Sequence, residues 1–259
     1  MDRLFKSKKV VVTGAAGVIG KWICTAFARQ RAHLCVTDVR SDALAALHAD
    51  PHIGPAIALH HVTDLRSADS IGALVDAVER QWGAPDIVIN NAGIYPSRRL
   101  LDVDAAEWSE VMAVNLTAPF LLTQAFARLM QARQVTGCFV NIVSKSAHRP
   151  RPGGGPYAVS KAGLAMLTRA FALELAPLGI RVNAVSPGLA PGSEVNALSD
   201  EYIATMLRRI PLGRPSNADD VGAAVLYLCS DHAAYITGAT LVVDGGSAAG
   251  EFELPEAHA

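Results

Sequence analysis

The sequence predicts an α/β fold: a doubly wound, seven-stranded parallel sheet with helices on both faces. Three observations point there. Short β-branched runs alternate with longer amphipathic stretches along the chain. Several of those runs, VVV at 10–12 and IVI at 87–89, are apolar at every position, which suits strands covered on both faces. The strand–helix–strand repetition then implies a parallel sheet flanked by helices. Taken in order, strands are expected at 9–13, 33–38, 56–62, 86–90, 138–144, 180–185 and 240–243. Helices are expected near 18–30, 41–49, 67–82, 104–131, 158–176 and 217–230. Seven strands in one sheet use almost all of the 259 residues, so one domain over 1–259 is expected.

Departures from the alternation are informative. Pro119 interrupts the 104–131 helix, and a residue without an N–H predicts a kink there or a junction of two segments. The run KSAHRPRPGGGP between Ser144 and Tyr157 reads as a loop. The stretch 187–215 holds four prolines around a short amphipathic piece, EYIATMLRRI. An interrupted connection of that length is either a substrate lid, near 189–215, or a surface excursion.

Composition removes several classes of function. Hydrophobic residues make up 51% and charged residues 18%, enough for a sizeable core and unlike a disordered chain. Lys+Arg total 23 against 24 Asp+Glu, and no basic run exceeds two residues, so the stripe that nucleic-acid binding needs is missing. The opening MDRLFKSKKVVV lacks the apolar core of a signal peptide, and no uncharged apolar stretch is long enough for a membrane span. Cys24, Cys35, Cys138 and Cys229 are scattered without a CxxC pair, as reduced thiols of a cytoplasmic protein would be. His48 and His52 have helical ligand spacing but Pro51 stands between them, and the adjacent His60 and His61 point to opposite faces of a strand. No catalytic metal is expected.

The chemistry begins at the end of the first strand, where Thr13-Gly14-Ala15-Ala16-Gly17-Val18-Ile19-Gly20 leads into a helix. Glycines at such a turn let the backbone approach a pyrophosphate, which then meets unpaired N–H groups at the helix N-terminus. The second strand ends at Asp38, 24 residues after Gly14, where a carboxylate accepts from an adenosine ribose and repels a 2′-phosphate. NAD is therefore the expected cofactor, with NADP less favoured; Arg40 leaves some tolerance of NADP open.

Further along, Asn90-Asn91-Ala92-Gly93 follows the fourth strand, Ser144 the fifth, and Tyr157-Ala158-Val159-Ser160-Lys161 opens the next helix. Arg181-Val182-Asn183-Ala184, Pro187-Gly188, Thr237-Gly238 and Asp244-Gly245-Gly246 complete an ordered set. With these motifs, from about residue 8 to residue 246, the chain resembles the short-chain dehydrogenase/reductase family, in its short single-domain branch. The resemblance implies a Rossmann-type fold and a catalytic set of Asn115, Ser144, Tyr157 and Lys161. It implies cofactor contacts at Gly14, Gly17, Val18, Ile19, Asp38, Val62, Asn91, Ala92, Gly93, Tyr157, Lys161, Pro187, Gly188 and Ala190. In that likeness Lys161 also holds the nicotinamide ribose, Ser144 orients the substrate oxygen, and Asn115 positions a water that links Lys161 to solvent. A homotetramer is implied too; the apolar helices near 104–131 and 158–176, with Phe120 and Met166 among their residues, point the same way.

Elementary chemistry agrees with the tyrosine assignment. Reducing a ketone requires a proton donor at the forming alkoxide, and a free phenol with a pKa of ~10 is poorly matched to neutral pH. Lys161 lies four residues after Tyr157 on one helix face. A cation ~6 Å away is expected to favour the phenolate by roughly 2–3 kcal/mol.

Three positions depart from the family pattern. The glycine turn carries Val18 where short members place their middle glycine, a spacing similar to that of the extended branch of epimerases and dehydratases. His61 stands before Val62 where an Asp usually meets the adenine. After Pro187-Gly188, Ala190 and Gly192 replace a branched residue and a Thr. The expected activity is interconversion of a secondary alcohol and a ketone with NAD. The alternatives are an NADPH-type 3-oxoacyl thioester reductase, a dinucleotide sensor without turnover, and an epimerase or dehydratase working by transient oxidation. Arg149 and Arg151 either meet an anionic substrate or are solvated loop arginines.

Overall fold

The computed structural model describes residues 4–192 and 199–252. Its strands are β1 (Lys9–Thr13), β2 (His33–Asp38), β3 (Ile57–Val62), β4 (Ile87–Asn90), β5 (Cys138–Ile142), β6 (Arg181–Pro187) and β7 (Thr240–Val243). They form one all-parallel sheet in the order β3-β2-β1-β4-β5-β6-β7. The chain winds outward from β1 to β3, returns to the middle at β4, and winds outward again to β7. The order reverses between β1 and β4, and in doubly wound sheets a ligand crevice opens beyond the carboxyl ends of the strands at that point.

The helices are α1 (Val18–Arg29), α2 (Ser41–Ala49), α3 (Ala68–Trp82), α4 (Ala105–Met112), α5 (Ala118–Ala132), α6 (Gly155–Leu175), α7 (Asp200–Leu207) and α8 (Ala218–Cys229). They cover both faces, which explains the unbroken apolar strands. Val10 and Val12 point into a core with Ile23 and Phe27 of α1 and Val221 and Val225 of α8. Val11, between them, points to the opposite core with Leu74 of α3 and Leu122 and Phe126 of α5. A one-residue register slip would exchange the two cores.

The expected 104–131 helix is two helices. Residues 113–117 between α4 and α5 form a single π turn, and Pro119 occupies the first turn of α5. Proline has no N–H to give the Asn115 carbonyl, and the widened turn absorbs that missing bond. The helix expected from 158 starts earlier, at Gly155, because Pro156 fits the first turn of a helix, where an N–H has no intrahelical partner. That places Tyr157 inside α6. Strand β5 ends at Ile142, earlier than expected, since Ser144 caps a short 3-10 turn over Lys145–Ala147 through Ser146 N–H. Of the segment expected as a lid, residues 193–198 lie outside the described residues; α7 follows, and Leu212 N–H bonds the Gly245 carbonyl at 3.1 Å.

Candidate active site

A cavity of about 510 Å³ opens at the carboxyl edge of the sheet over the β1/β4 switch point. Its dinucleotide end is built by the turn after β1. Gly14 has φ +59°, and a Cβ there would lie 2.7 Å from Ala92 Cα, so only glycine lets the two loops touch. Asn91 secures the contact: its Nδ2 donates to the Thr13 and Gly14 carbonyls at 2.9 and 3.0 Å. The N–H groups of Asn91 and Ala92 both donate to Thr13 Oγ1, at 3.0 and 3.1 Å. Gly17 precedes α1 in extended conformation, with no side chain capping the helix. An uncapped helix N-terminus on a cavity wall is a ready anion site. Gly17, Val18 and Ile19 line the wall there.

Asp38 lies on the same wall with its side chain 7% exposed. Its Oδ2 accepts from Ala16 N–H at 3.2 Å, and its Oδ1 from both Arg40 N–H and Arg40 Nε at 3.2 Å. A carboxylate has about four acceptor positions, so roughly one remains for a ribose hydroxyl. At the adenosine end Val62 stands at the last position of β3. That side chain is 48% exposed and does not line the cavity; Thr63, Asp64, Leu65 and Arg66, just past the end of β3, do. Thr63 is fixed by hydrogen bonds from Thr37 at 2.6 Å and with His61 at 2.8 Å. Arg66 is clamped by Asp64 and by Glu110 of α4, at 2.9 and 3.0 Å. The rule that ligands sit outside the carboxyl ends of strands would have drawn attention to 63–66 as well.

At the other end Ser144, Tyr157 and Lys161 converge, with Pro187, Gly188 and Ala190 along the floor. The Ser144 hydroxyl faces the Tyr157 phenol and favours its ionised form. Lys161, 3% exposed, donates from Nζ to the Ile142 carbonyl at 2.7 Å and lies 5.7 Å from the Tyr157 ring centroid. Gly93 closes the gap, since any side chain there would press on both Lys161 Nζ and Asn115 Oδ1. Tyr95, which the sequence reading passed over, lines the cavity and meets Tyr157 edge-on with centroids 5.9 Å apart. Its place directly after Asn91-Ala92-Gly93-Ile94, beyond the end of β4, was the available signal.

Burial pushes the Tyr157 phenol above the ordinary tyrosine value; the Ser144 hydroxyl pulls it down and Tyr95 pushes it further up. The net direction is thus opposite to the lowering expected from Lys161, whose ammonium is held at the Ile142 carbonyl and is itself depressed by burial to about 8. Asn115 is fully buried and does not line the cavity. Its Oδ1 accepts from Ile94 N–H at 2.9 Å, and its Nδ2 donates to the Ile94 carbonyl and to Ser160 Oγ at 2.8 and 3.0 Å. With those bonds made, the side chain is a clamp between the π turn, the Tyr95 loop and α6.

A profile described as enoyl-(acyl carrier protein) reductase matches residues 14–248. The 3-oxoacyl-[acyl-carrier-protein] reductase FabG of Thermotoga maritima is 34% identical over 93% of this chain and 98% of its own. The galactitol 2-dehydrogenase (L-tagatose-forming) of Cereibacter sphaeroides is 39% identical over 91% of this chain and 92% of its own. The chain belongs to the short-chain dehydrogenase/reductase family. A crystal structure of NAD+-bound xylitol dehydrogenase superposes with a TM-score of 0.86 at 28% identity, over 93% of this chain and 99% of that one. This short-chain dehydrogenase/reductase is an NAD(P)-dependent oxidoreductase. The uncapped α1 N-terminus and the Gly14–Ala92 approach are what a bound dinucleotide requires, so the residues present fit the cofactor. Among the described residues, no helix is long and apolar enough to cross a membrane.

Proposed function

We propose that the enzyme oxidises a secondary alcohol to a ketone with NAD, and runs the reverse reduction. The observation that carries this reading is the convergence of Ser144, Tyr157 and Lys161 in the cavity that reaches the glycine turn. Tyr157 takes the hydroxyl proton, Ser144 orients the substrate oxygen beside it, and Lys161 supplies positive charge next to the ring. The bound nicotinamide supplies the hydride acceptor. Asp38 favours NAD through its remaining acceptor position, while the N-terminus of α1 holds the pyrophosphate. The segment 189–215, which brings Ala190 to the cavity, acts as the substrate lid. Tyr95 forms the facing wall.

The two named relatives include a thioester reductase and a polyol dehydrogenase, so a 3-oxoacyl thioester reductase is the second reading. The buried Asp38 carboxylate favours the NAD-dependent alcohol dehydrogenase. We further infer a cytoplasmic homotetramer. Phe120 of α5 and Met166 of α6, 38% and 61% exposed, border an apolar groove with Leu116 and Leu167 that a second copy would cover. A panel of polyols, hydroxy acids, cyclic alcohols and 3-oxoacyl thioesters, assayed with both cofactors by reduced-nicotinamide absorbance, tests the activity. NADH accumulation with an alcohol is the expected result, and turnover confined to NADPH and thioesters would select the second reading.

A further inference from the structure

Ser144 stands just past the bond from Val143 N–H to the Val185 carbonyl, at 2.9 Å, that ties the end of β5 to β6. Beyond it the chain makes a single 3-10 turn, Lys145–Ala147, so the aim of the Ser144 hydroxyl depends on what holds that turn. Two side chains from this region reach across to the segment after β7. Lys145 Nζ donates to Ser247 Oγ at 2.6 Å, and Arg149 donates to the Gly250 carbonyl at 2.7 Å. The segment they grip is itself pinned. Gly245 and Gly246 have φ +65° and +88°, and a Cβ on them would lie 2.7 Å from Ile210 Cγ2 and 3.0 Å from Pro211 Cγ. Gly188 N–H bonds the Val243 carbonyl at 2.8 Å, and Gly246 N–H bonds Asp244 Oδ1 at 3.0 Å. Residues 244–250 are thus a strap fixed between the cavity floor at Gly188 and the residues that follow α7.

The Lys145 contact is made at a cost. The residue is half-buried, and burial lowers its pKa, with Asp244 as the main opposing influence. Asp244 is buried in turn, and its Oδ2 has no hydrogen-bond partner among the described residues, so the ammonium of Lys145 is its countercharge. Drawing a lysine head out of water is unfavourable unless it is paired and hydrogen-bonded. Here the carboxylate and the Ser247 hydroxyl supply both, at the residue next to the hydroxyl read above as orienting the substrate oxygen.

We propose that the strap holds Ser144 in its working position, with Lys145 and Ser247 as the positioning pair. The inference rests on the reading of Ser144 above. Its test is steady-state kinetics on the best substrate of the panel. Ser247→Ala and Lys145→Met should each lose about tenfold in kcat, because a reacting group that is slightly displaced loses its alignment, while NADH affinity stays within about threefold. The double variant should lose no more than Lys145→Met alone, since both substitutions remove the same bond. Ser247→Thr keeps the hydroxyl and should restore most of the loss. The rise of kcat with pH should move to higher pH in Ser247→Ala, because a displaced Ser144 no longer favours the Tyr157 phenolate. In a Ser144→Ala background, Ser247→Ala should cost no further activity, which a general loosening of the fold would not spare. Parent-like kcat in Ser247→Ala, an unmoved pH profile, or a full further loss in the Ser144→Ala background overturns the inference while Ser144→Ala itself stays impaired. Parent-like activity of Ser144→Ala, or no turnover of any panel substrate by the parent, overturns the reading of the site and this inference with it.

Discussion

Cofactor choice should respond in opposite directions to two substitutions at one ion pair. Asp38 faces the adenosine end of the cavity with its side chain 7% exposed, and Arg40 Nε lies 3.2 Å from its Oδ1. At an effective dielectric of ~20, a 2′-phosphate of charge near −2 about 5 Å from the carboxylate is repelled by roughly 6–7 kcal/mol, and an equally distant guanidinium attracts it by as much. The pair therefore nearly cancels. Discrimination then rests mainly on the hydroxyl-to-carboxylate hydrogen bond, which NADP lacks and which contributes ~1.5–3 kcal/mol. With the residual repulsion of the more buried Asp38, kcat/KM should favour NAD by roughly 10²-fold. Arg40→Ala removes the offset, so NADP should lose about a further 10⁴-fold or more while NAD changes less than about threefold. Asp38→Ser should cost NAD about 10–100-fold and raise NADP, because Arg40 is released toward the phosphate. Steady-state kinetics of the parent and both variants with each cofactor would decide this. Unchanged NAD efficiency in Asp38→Ser would refute the reasoning, since the carboxylate would then not touch the ribose.

Burial lowers Lys161 from 10.5 to about 8, so between those values the unfolded chain holds a proton that the folded chain has released, and folding gains stability as pH rises. Urea unfolding of Lys161→Met should accordingly show an advantage over the parent at pH ~7 that shrinks by up to ~3 kcal/mol toward pH ~10; a constant difference would mean the ammonium is not desolvated. Asn115→Ala leaves both Ile94 backbone groups without their side-chain partner, so a loss of ~2–3 kcal/mol is expected, together with a raised KM as the Tyr95 loop loosens. Unfolding and kinetics that match the parent would rule out the clamp. Sedimentation should show a tetramer that Met166→Glu dissociates by placing charge in the apolar groove; a monomeric parent at micromolar concentration contradicts the assembly.

The strands were legible because their chemistry is local. Runs such as Val10–Val12 and Ile87–Ile89 are apolar on both faces, and both faces are covered. The Gly14 turn, Asp38 and the Tyr157–Lys161 pair could also be placed, since strand ends and helical spacing determine where they project. What the sequence hides are partners brought by other elements. Asn115 also clamps Ile94 and Ser160, distant in sequence, through three side-chain hydrogen bonds that spacing alone does not show. Val62 and Thr63 are neighbours on the chain, but which of them faces the cavity depends on how the strand end turns out of the sheet. Pro119 announced a break without revealing its form; the π turn depends on α4 and α5 both packing onto their neighbours. The pKa direction of Tyr157 was missed for the same reason. The spacing to Lys161 shows that the two side chains are close but not that Ile142 holds the ammonium beside the ring.

The central claim is that the Tyr157 hydroxyl carries the proton in a reaction whose cofactor is held elsewhere. Tyr157→Phe removes that hydroxyl and keeps the ring that packs against Tyr95 and Lys161. Measured on the best alcohol of the panel, alongside NADH affinity by fluorescence, the variant should lose ~10²–10⁴-fold in kcat while NADH affinity stays within about threefold. A variant that retains activity within tenfold of the parent would contradict the account.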